Sequence, residues 1–258
     1  MPDTAIEYLA GSTVRPDTLI ALRDHGRLSI RALEDQLSAS RRTVKRTLSA
    51  MESRGWVRPA DGTYELTAFG AMILSAYEEF RECERTVMRL RPFLEHVPAT
   101  TFDLGVETVA DATVISSEDD PTAFVDRLVE LRAGTSRLCQ YAPLLLLDSV
   151  RQLAKQVRNG QPAPDVNLVL GTDTPPRASP EYAEQFETLV AAPSVDVRLY
   201  PDGPPIGFGV ADGRAFFGAA DRRDLPHSLL VSDAPEVVAW VEREFEAYFD
   251  AAEPVPTE

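Results

Sequence analysis

The most specific chemistry in the chain lies in a short basic stretch, where Arg42, Lys45, Arg46 and Ser49 follow one another at helical spacing. On a helix of about 100° per residue, Arg42, Arg46 and Ser49 point one way with Lys45 on the flank, and Val44, Leu48 and Met51 form the opposite stripe. Guanidinium, ammonium and hydroxyl groups backed by apolar residues suit a helix lying in the major groove of DNA, where their donors meet base edges. Ser40, Arg41 and Thr43 stand at the start of the same helix, with Arg41 placed for a backbone phosphate. Arg58, Thr63 and Tyr64 follow in a short β-prone segment and complete the expected DNA-contacting set.

A second set belongs to small-molecule binding. Tyr141, Thr172, Asp173, Arg198 and Tyr200 fall at or just past the ends of β-prone runs, where open α/β sheets present ligands. Rings beside a hydroxyl, a carboxylate and a guanidinium suit a polar effector such as a sugar or sugar phosphate, with Arg198 as the anion partner. Other constellations carry less. Cys83 and Cys139, with His25, His96 and His227, give no closely spaced ligand set for zinc, and no cofactor or metal is expected. Gly207 and Gly209 lack the third glycine of a nucleotide loop. Glu118, Asp119 and Asp120 before Pro121 read as the acidic start of a helix.

The elements that position these residues are legible in outline. Residues 18–24 form a short helical pattern ended by Gly26, Ser29 caps a second pattern with Ile30, Leu33 and Leu37, and Ser40 caps a third that runs to Arg54 and stops at Gly55. Two short β-prone runs joined by Asp61-Gly62 then form a hairpin. Three helices and a hairpin make a winged helix-turn-helix. Residues 68–91 continue as one long helix, ended or kinked at Pro92, on which Phe69, Ile73, Ala76, Phe80, Cys83, Val87 and Leu90 step alternately by four and three. That heptad predicts a dimer seam, and an intrachain packing face is the other reading of it. Beyond Pro98 strand-like runs at 112–116, 136–141, 166–170 and 195–199 alternate with helical runs at 121–132, 144–159 and 181–191. Strands at 206–211 and 214–219 around Asp212-Gly213, a third at 229–231 and a helix at 234–249 capped by Asp233 close the chain. The expectation is an α+β chain in three parts: 1–67 for DNA binding, 68–98 for linkage and dimerisation, and 99–258 as an α/β domain with a mixed sheet.

Charge sharpens the division. The 258 residues carry a net charge of −15, yet Val14 to Leu66 hold ten basic against seven acidic residues, so +3 there leaves −18 on the rest. A basic island on an acidic chain marks a polyanion-binding module. Of the 26 basic residues only Lys45 and Lys155 are lysines. An acidic, lysine-poor chain fits a cytoplasm rich in KCl, and a haloarchaeal source is expected. No apolar run approaches a membrane span and no leader pattern opens the sequence, which predicts a cytoplasmic protein with no membrane partner.

Two resemblances follow from these residues. The stretch from Ser29 to Leu66 resembles the winged-helix DNA-binding domains of bacterial and archaeal regulators. The segment from Ile206 to Ala219 resembles the closing hairpin of the phospholipase-D-like fold, whose active members place His-x-Lys ahead of four residues and Asp. Counted back from Asp212, the lysine position holds Gly207 and the histidine position Pro205, so the resemblance implies an empty catalytic site and no enzyme. Such domains behind winged helices resemble archaeal TrmB-like and methanogenesis-type regulators, which implies a dimeric transcription regulator that binds an operator in double-stranded DNA and senses a small molecule. The alternatives are a phosphodiesterase-like or sugar-processing enzyme with an accessory DNA-binding domain, and an architectural DNA-binding protein with no effector.

Overall fold

The computed structural model describes residues 4–118, 120–160, 163–171, 179–223 and 225–255. The chain divides into two compact units, Met1–Arg85 and Thr86–Glu258.

The first unit holds α1 (Ala5–Ala10), α2 (Val14–His25), α3 (Ile30–Leu37), α4 (Arg41–Ser53), a hairpin of β1 (Val57–Ala60) and β2 (Thr63–Leu66), and the start of α5 (Ala68–Leu94). Local chemistry sets these boundaries. Ser29 accepts from the Ala32 N–H at 3.2 Å and Ser40 from the Thr43 N–H at 3.3 Å, each satisfying an orphan donor in the first turn. Asp61 and Gly62 both take positive φ, 47° and 77°, the geometry of a two-residue turn that matches strand twist. Gly70 sits where α5 crosses the backbone of Trp56, and a Cβ there would collide with the Trp56 carbonyl. Leu19, Leu22, Leu33, Val44, Leu48, Met51, Trp56 and Leu74 form the core of this unit.

The second unit is built on β3 (Thr113–Ser116), α6 (Ala123–Arg132), β4 (Arg137–Ala142), α7 (Leu147–Asn159), β5 (Asp165–Leu170), α8 (Pro180–Val190) and β6 (Val195–Leu199). It continues with β7 (Gly207–Ala211), β8 (Arg214–Ala220), β9 (Pro226–Ser232), α9 (Pro235–Ala251) and β10 (Glu253–Pro254). Eight strands form one mixed sheet in the order β10-β6-β5-β4-β7-β8-β9-β3, in which β4, β5 and β6 are parallel and every other pair is antiparallel. Strand period two sorts its side chains. Leu138, Leu168, Leu170 and Phe216 face Leu128, Val150, Leu153 and Phe186 of α6, α7 and α8. Tyr141, Val169, Phe208 and Phe217 lie in the other core, with Val237, Val241 and Phe245 of α9 and Leu90 and Phe93 from the end of α5.

Several sequence expectations require correction. Helix α2 starts at Val14, not at Thr18, because Pro16 falls in its first turn, where a missing N–H costs nothing. Helix α1 was not expected, although Thr4 and Glu7 form a capping box that announces it. Pro92 neither ends nor bounds α5, which runs on to Leu94 with the proline in its last turn. Helix α7 begins at Leu147, so Leu144–Leu146 is loop. Leu145 is buried there and its carbonyl accepts from the Tyr182 hydroxyl at 3.1 Å. Asp233 does not cap α9: Pro235 at the first helical position moves the cap to Ala234, whose N–H donates to Ser232 Oγ at 3.2 Å. The heptad is not one continuous exposed seam. Leu90 is 1% exposed and packed in the core of its own unit, and Ile73 is half-buried, whereas Phe69, Ala76, Phe80 and Val87 are exposed and Cys83 is partly so.

Candidate nucleic-acid interface and ligand cavity

Helix α4 presents the basic face. Val44, Leu48 and Met51 are buried, and Arg42, Lys45, Arg46 and Ser49 are exposed. Arg42, Lys45 and Arg46 join no ion pair among the described residues, which leaves their charge open to a polyanion. The neighbouring residues are more engaged. Ser40 and Thr43 are tied to each other through the helix cap, their hydroxyls 3.0 Å apart. Arg41 lies 3.6 Å from Glu34.

The hairpin is less free still. Arg58 and Arg27 clamp Glu65 from two sides at 2.5 and 2.6 Å, and these bonds hold the Glu65 carboxyl below its usual range. The Thr63 hydroxyl donates to the Ala60 carbonyl across the turn. Tyr64 is half-buried, and its backbone exchanges hydrogen bonds with Leu28 at 2.8 and 3.1 Å. Of the three hairpin residues, Arg58 alone keeps an exposed side chain, and its guanidinium is already shared with a carboxylate.

The described members of the expected effector set, Tyr141, Arg198 and Tyr200, are taken up by packing against α9. Thr172 and Asp173 lie outside the described residues. Tyr141 is 1% exposed and packs against Phe208 and Tyr248, and burial followed by the neighbouring tyrosines pushes its hydroxyl up to about 12. Tyr200 packs edge-on to the same Tyr248 ring. Arg198 stacks on Phe249 at 3.8 Å, donates to the Phe249 carbonyl at 2.9 Å and pairs with Asp196 at 3.1 Å, so it fastens α9 to β6. A guanidinium already bonded on several sides has little left for a ligand.

The cavity lies on the opposite face of the sheet. It encloses about 420 Å³ between α6, the 143–146 loop and strands β4, β7 and β8, within the range of small-molecule sites. Phe124, Leu128, Leu145, Phe216 and Leu229 give it apolar walls, and Pro205 and Gly207 are also part of its lining. Three buried polar residues, Arg132, Gln140 and Ser149, interrupt this surface. Arg132, at the last turn of α6, is 1% exposed, and its Nη2 donates to Gln140 Oε1 at 2.5 Å. Its Nε and Nη1 have no hydrogen-bond partner among the described residues. Burial lowers its pKa to about 9, so the guanidinium still carries its charge at neutral pH.

Sequence reasoning missed Arg132 because an Arg ending a helix reads as a solvated cation at the negative end of the dipole. The one available signal was Gln140, a polar residue between Leu138 and Ala142 on the core face of a central strand. Asp212 has a different place. Its carboxylate accepts from the Ser136 and Arg137 N–H groups, both at 2.9 Å, and so fixes the β7–β8 turn to the start of β4.

An N-terminal unit of short helices and a hairpin, joined in sequence to a unit with a mixed sheet, defines a two-part architecture. Residues 3–89 match the family described as the HVO_A0261 N-terminal domain. Residues 121–251, just over half of the chain, match the middle domain of the methanogenesis regulatory protein FilR1, and the chain belongs to that regulator family. Among solved structures it is similar to the archaeal chromatin protein TrmBL2, at 14% identity over 99% of this chain and 100% of that one, with a TM-score of 0.42. It is also similar to the phospholipase D family member Nuc from Salmonella typhimurium, at 10% identity over 57% of this chain and 99% of that one, with a TM-score of 0.44. NucT from Helicobacter pylori follows at 11% identity over 56% and 98% of the two chains, with a TM-score of 0.44. No curated protein matches the sequence. Among the described residues no helix is long and apolar enough to cross a membrane.

Proposed function

We propose that the protein is a dimeric, DNA-binding transcription regulator whose first unit is a winged helix-turn-helix and whose second unit binds a small effector. The observation that carries the reading is the α4 face. Three cations, Arg42, Lys45 and Arg46, stand exposed and without ion pairs among the described residues, while the chain as a whole carries −15. A cluster of unneutralised cations on an acidic protein is selected for a polyanion, and the buried stripe opposite fixes the helix so that they project together. In this reading α4 enters the major groove, Arg41 takes a phosphate, and the hairpin adds Arg58. Membership of a family named for a regulator supports the same use.

Dimerisation through α5 belongs to the same proposal. Phe69, Phe80 and Val87 are 54%, 45% and 39% exposed, an unusual apolar load for one helix, and two winged helices match the paired half-sites of an operator. No catalytic role is proposed for the second unit, because Pro205 and Gly207 offer neither a nucleophile nor a cation at the positions compared with the phospholipase-D-like hairpin.

The deciding experiment is selection of bound duplexes from a random library, followed by fluorescence anisotropy on the recovered sequence. Enrichment of one sequence, bound at least a hundredfold above random duplex, is the expected result. Uniform weak binding to all duplexes would favour an architectural role, and absence of binding would remove the proposal. A phosphodiesterase assay on the same preparation separates the enzyme reading.

A further inference from the structure

The cavity in the second unit combines three features that ordinary core packing avoids together. It is large, it is walled mainly by apolar side chains, and it contains a charged group with two nitrogens unpartnered among the described residues. A buried guanidinium with two nitrogens unpaired among the described residues forfeits hydration without full replacement, and proteins retain such groups where a missing partner is supplied from outside. Among the described residues no carboxylate pairs with Arg132, and burial alone shifts its pKa, so no described acidic side chain neutralises it. An anion brought by a ligand would supply the missing partner.

The charge and shape of the site select among anions. A phosphate monoester brings nearly two negative charges, and one guanidinium would leave the second buried and unpaired. A bare inorganic anion would leave the apolar walls facing empty space. A monoanion with an apolar body satisfies both, placing its charge on Arg132 and its body against Phe124, Leu128 and Phe216. We propose that this cavity is a binding site for a small carboxylic acid with an apolar, ring-sized body, its carboxylate held by the guanidinium of Arg132. The volume of about 420 Å³ admits on the order of ten to fifteen non-hydrogen atoms, at the roughly 30 Å³ taken by one liquid water. Gln140 orients Arg132 through Nη2 and leaves Nε and Nη1 for the ligand. Use of this site as the effector switch rests on the regulator reading above, whereas binding itself does not.

The test is calorimetric titration of the full chain, without DNA, by four ligands of similar ring size: benzoate, benzamide, benzylamine and phenyl phosphate. Benzoate should bind and raise the melting temperature. Benzamide and phenyl phosphate should bind at least tenfold more weakly, and benzylamine should give no heat. This series uses the wild-type protein and needs no variant to fold. In Arg132→Met the benzoate affinity should fall at least tenfold while the unliganded melting temperature holds or rises, since an uncompensated buried charge has been removed. Equal binding of benzoate and benzamide, tighter binding of phenyl phosphate, or unchanged benzoate binding in Arg132→Met would overturn the assignment. So would a lack of heat from benzoate, cyclohexanecarboxylate and octanoate alike at millimolar concentration. Benzoate binding by a chain that selects no DNA sequence would sink the regulator reading and leave the site standing.

Discussion

Arg46 and Ser40 lie on the same short helix and serve different ends, which makes them a useful pair. Arg46 is exposed and without an ion pair among the described residues, so removing it takes nothing from the fold. A good base-edge contact is worth about 1–3 kcal/mol, and Arg46→Ala should weaken binding to the selected duplex roughly ten- to a hundredfold by anisotropy, with an unchanged melting temperature. Ser40 instead closes the first turn of α4 on the Thr43 N–H. Ser40→Ala should cost about 0.5–2 kcal/mol of stability, read by denaturant unfolding, while DNA affinity per folded molecule falls much less than in Arg46→Ala. The opposite assignment of effects, with Ser40→Ala abolishing binding and Arg46→Ala neutral, would move the interface off the α4 face.

At the scale of elements, α5 is the one that neither unit accounts for alone. Its buried apolar side chains are Leu74 and Tyr77 in the first unit and Leu90 and Phe93 in the second, and Phe80 lies between them in sequence, exposed. Because Phe80 is 45% exposed and belongs to none of the buried clusters among the described residues, Phe80→Glu should still fold. Across a symmetric dimer it would set two carboxylates against each other in a drying contact, and repulsion there should shift sedimentation from dimer to monomer and weaken operator binding. A wild-type protein that sediments as a monomer at micromolar concentration would end the dimer proposal. The sequence heptad shows both the power and the limit of periodicity. It correctly marked the apolar positions of a long helix, but a repeat of 3.5 says nothing of which of them a neighbouring element claims, and Leu90 went to its own core.

The whole molecule is dominated by its charge. At −15 over 258 residues, like charges repel across the folded surface more than along an unfolded chain, and salt relieves that repulsion within a Debye length of about 10 Å at 0.1 M. Melting temperature should therefore rise between 0.1 and about 2 M KCl. DNA binding should respond in the opposite sense. Each phosphate that the protein neutralises contributes a slope of about −0.9 on a log–log salt plot, so affinity should fall while the ratio of specific to random duplex binding persists. Loss of that ratio as KCl rises would show that phosphate contacts, and not Arg42 and Arg46 on base edges, carry recognition.

The sequence by itself determined what depends on neighbours a few residues away. Ser29 and Ser40 as caps, Asp61-Gly62 as a turn, the two faces of α4 and the runs that became β4, β5, β6 and β8 all follow from local hydrogen bonding and from the periods of helix and strand. The tertiary structure alone decided the sheet order, and with it the location of the cavity. Arg132 and Gln140 meet because α6 covers the face of the sheet to which Gln140 of β4 points, while Gly207 and Phe216 line the same cavity from strands about 70 to 80 residues further along. Tyr141 and Arg198 looked available because strand ends usually open to solvent, yet α9 and its rings close over both. Whether a polar side chain is free or already bonded is settled by what the fold brings against it, and no periodicity records that.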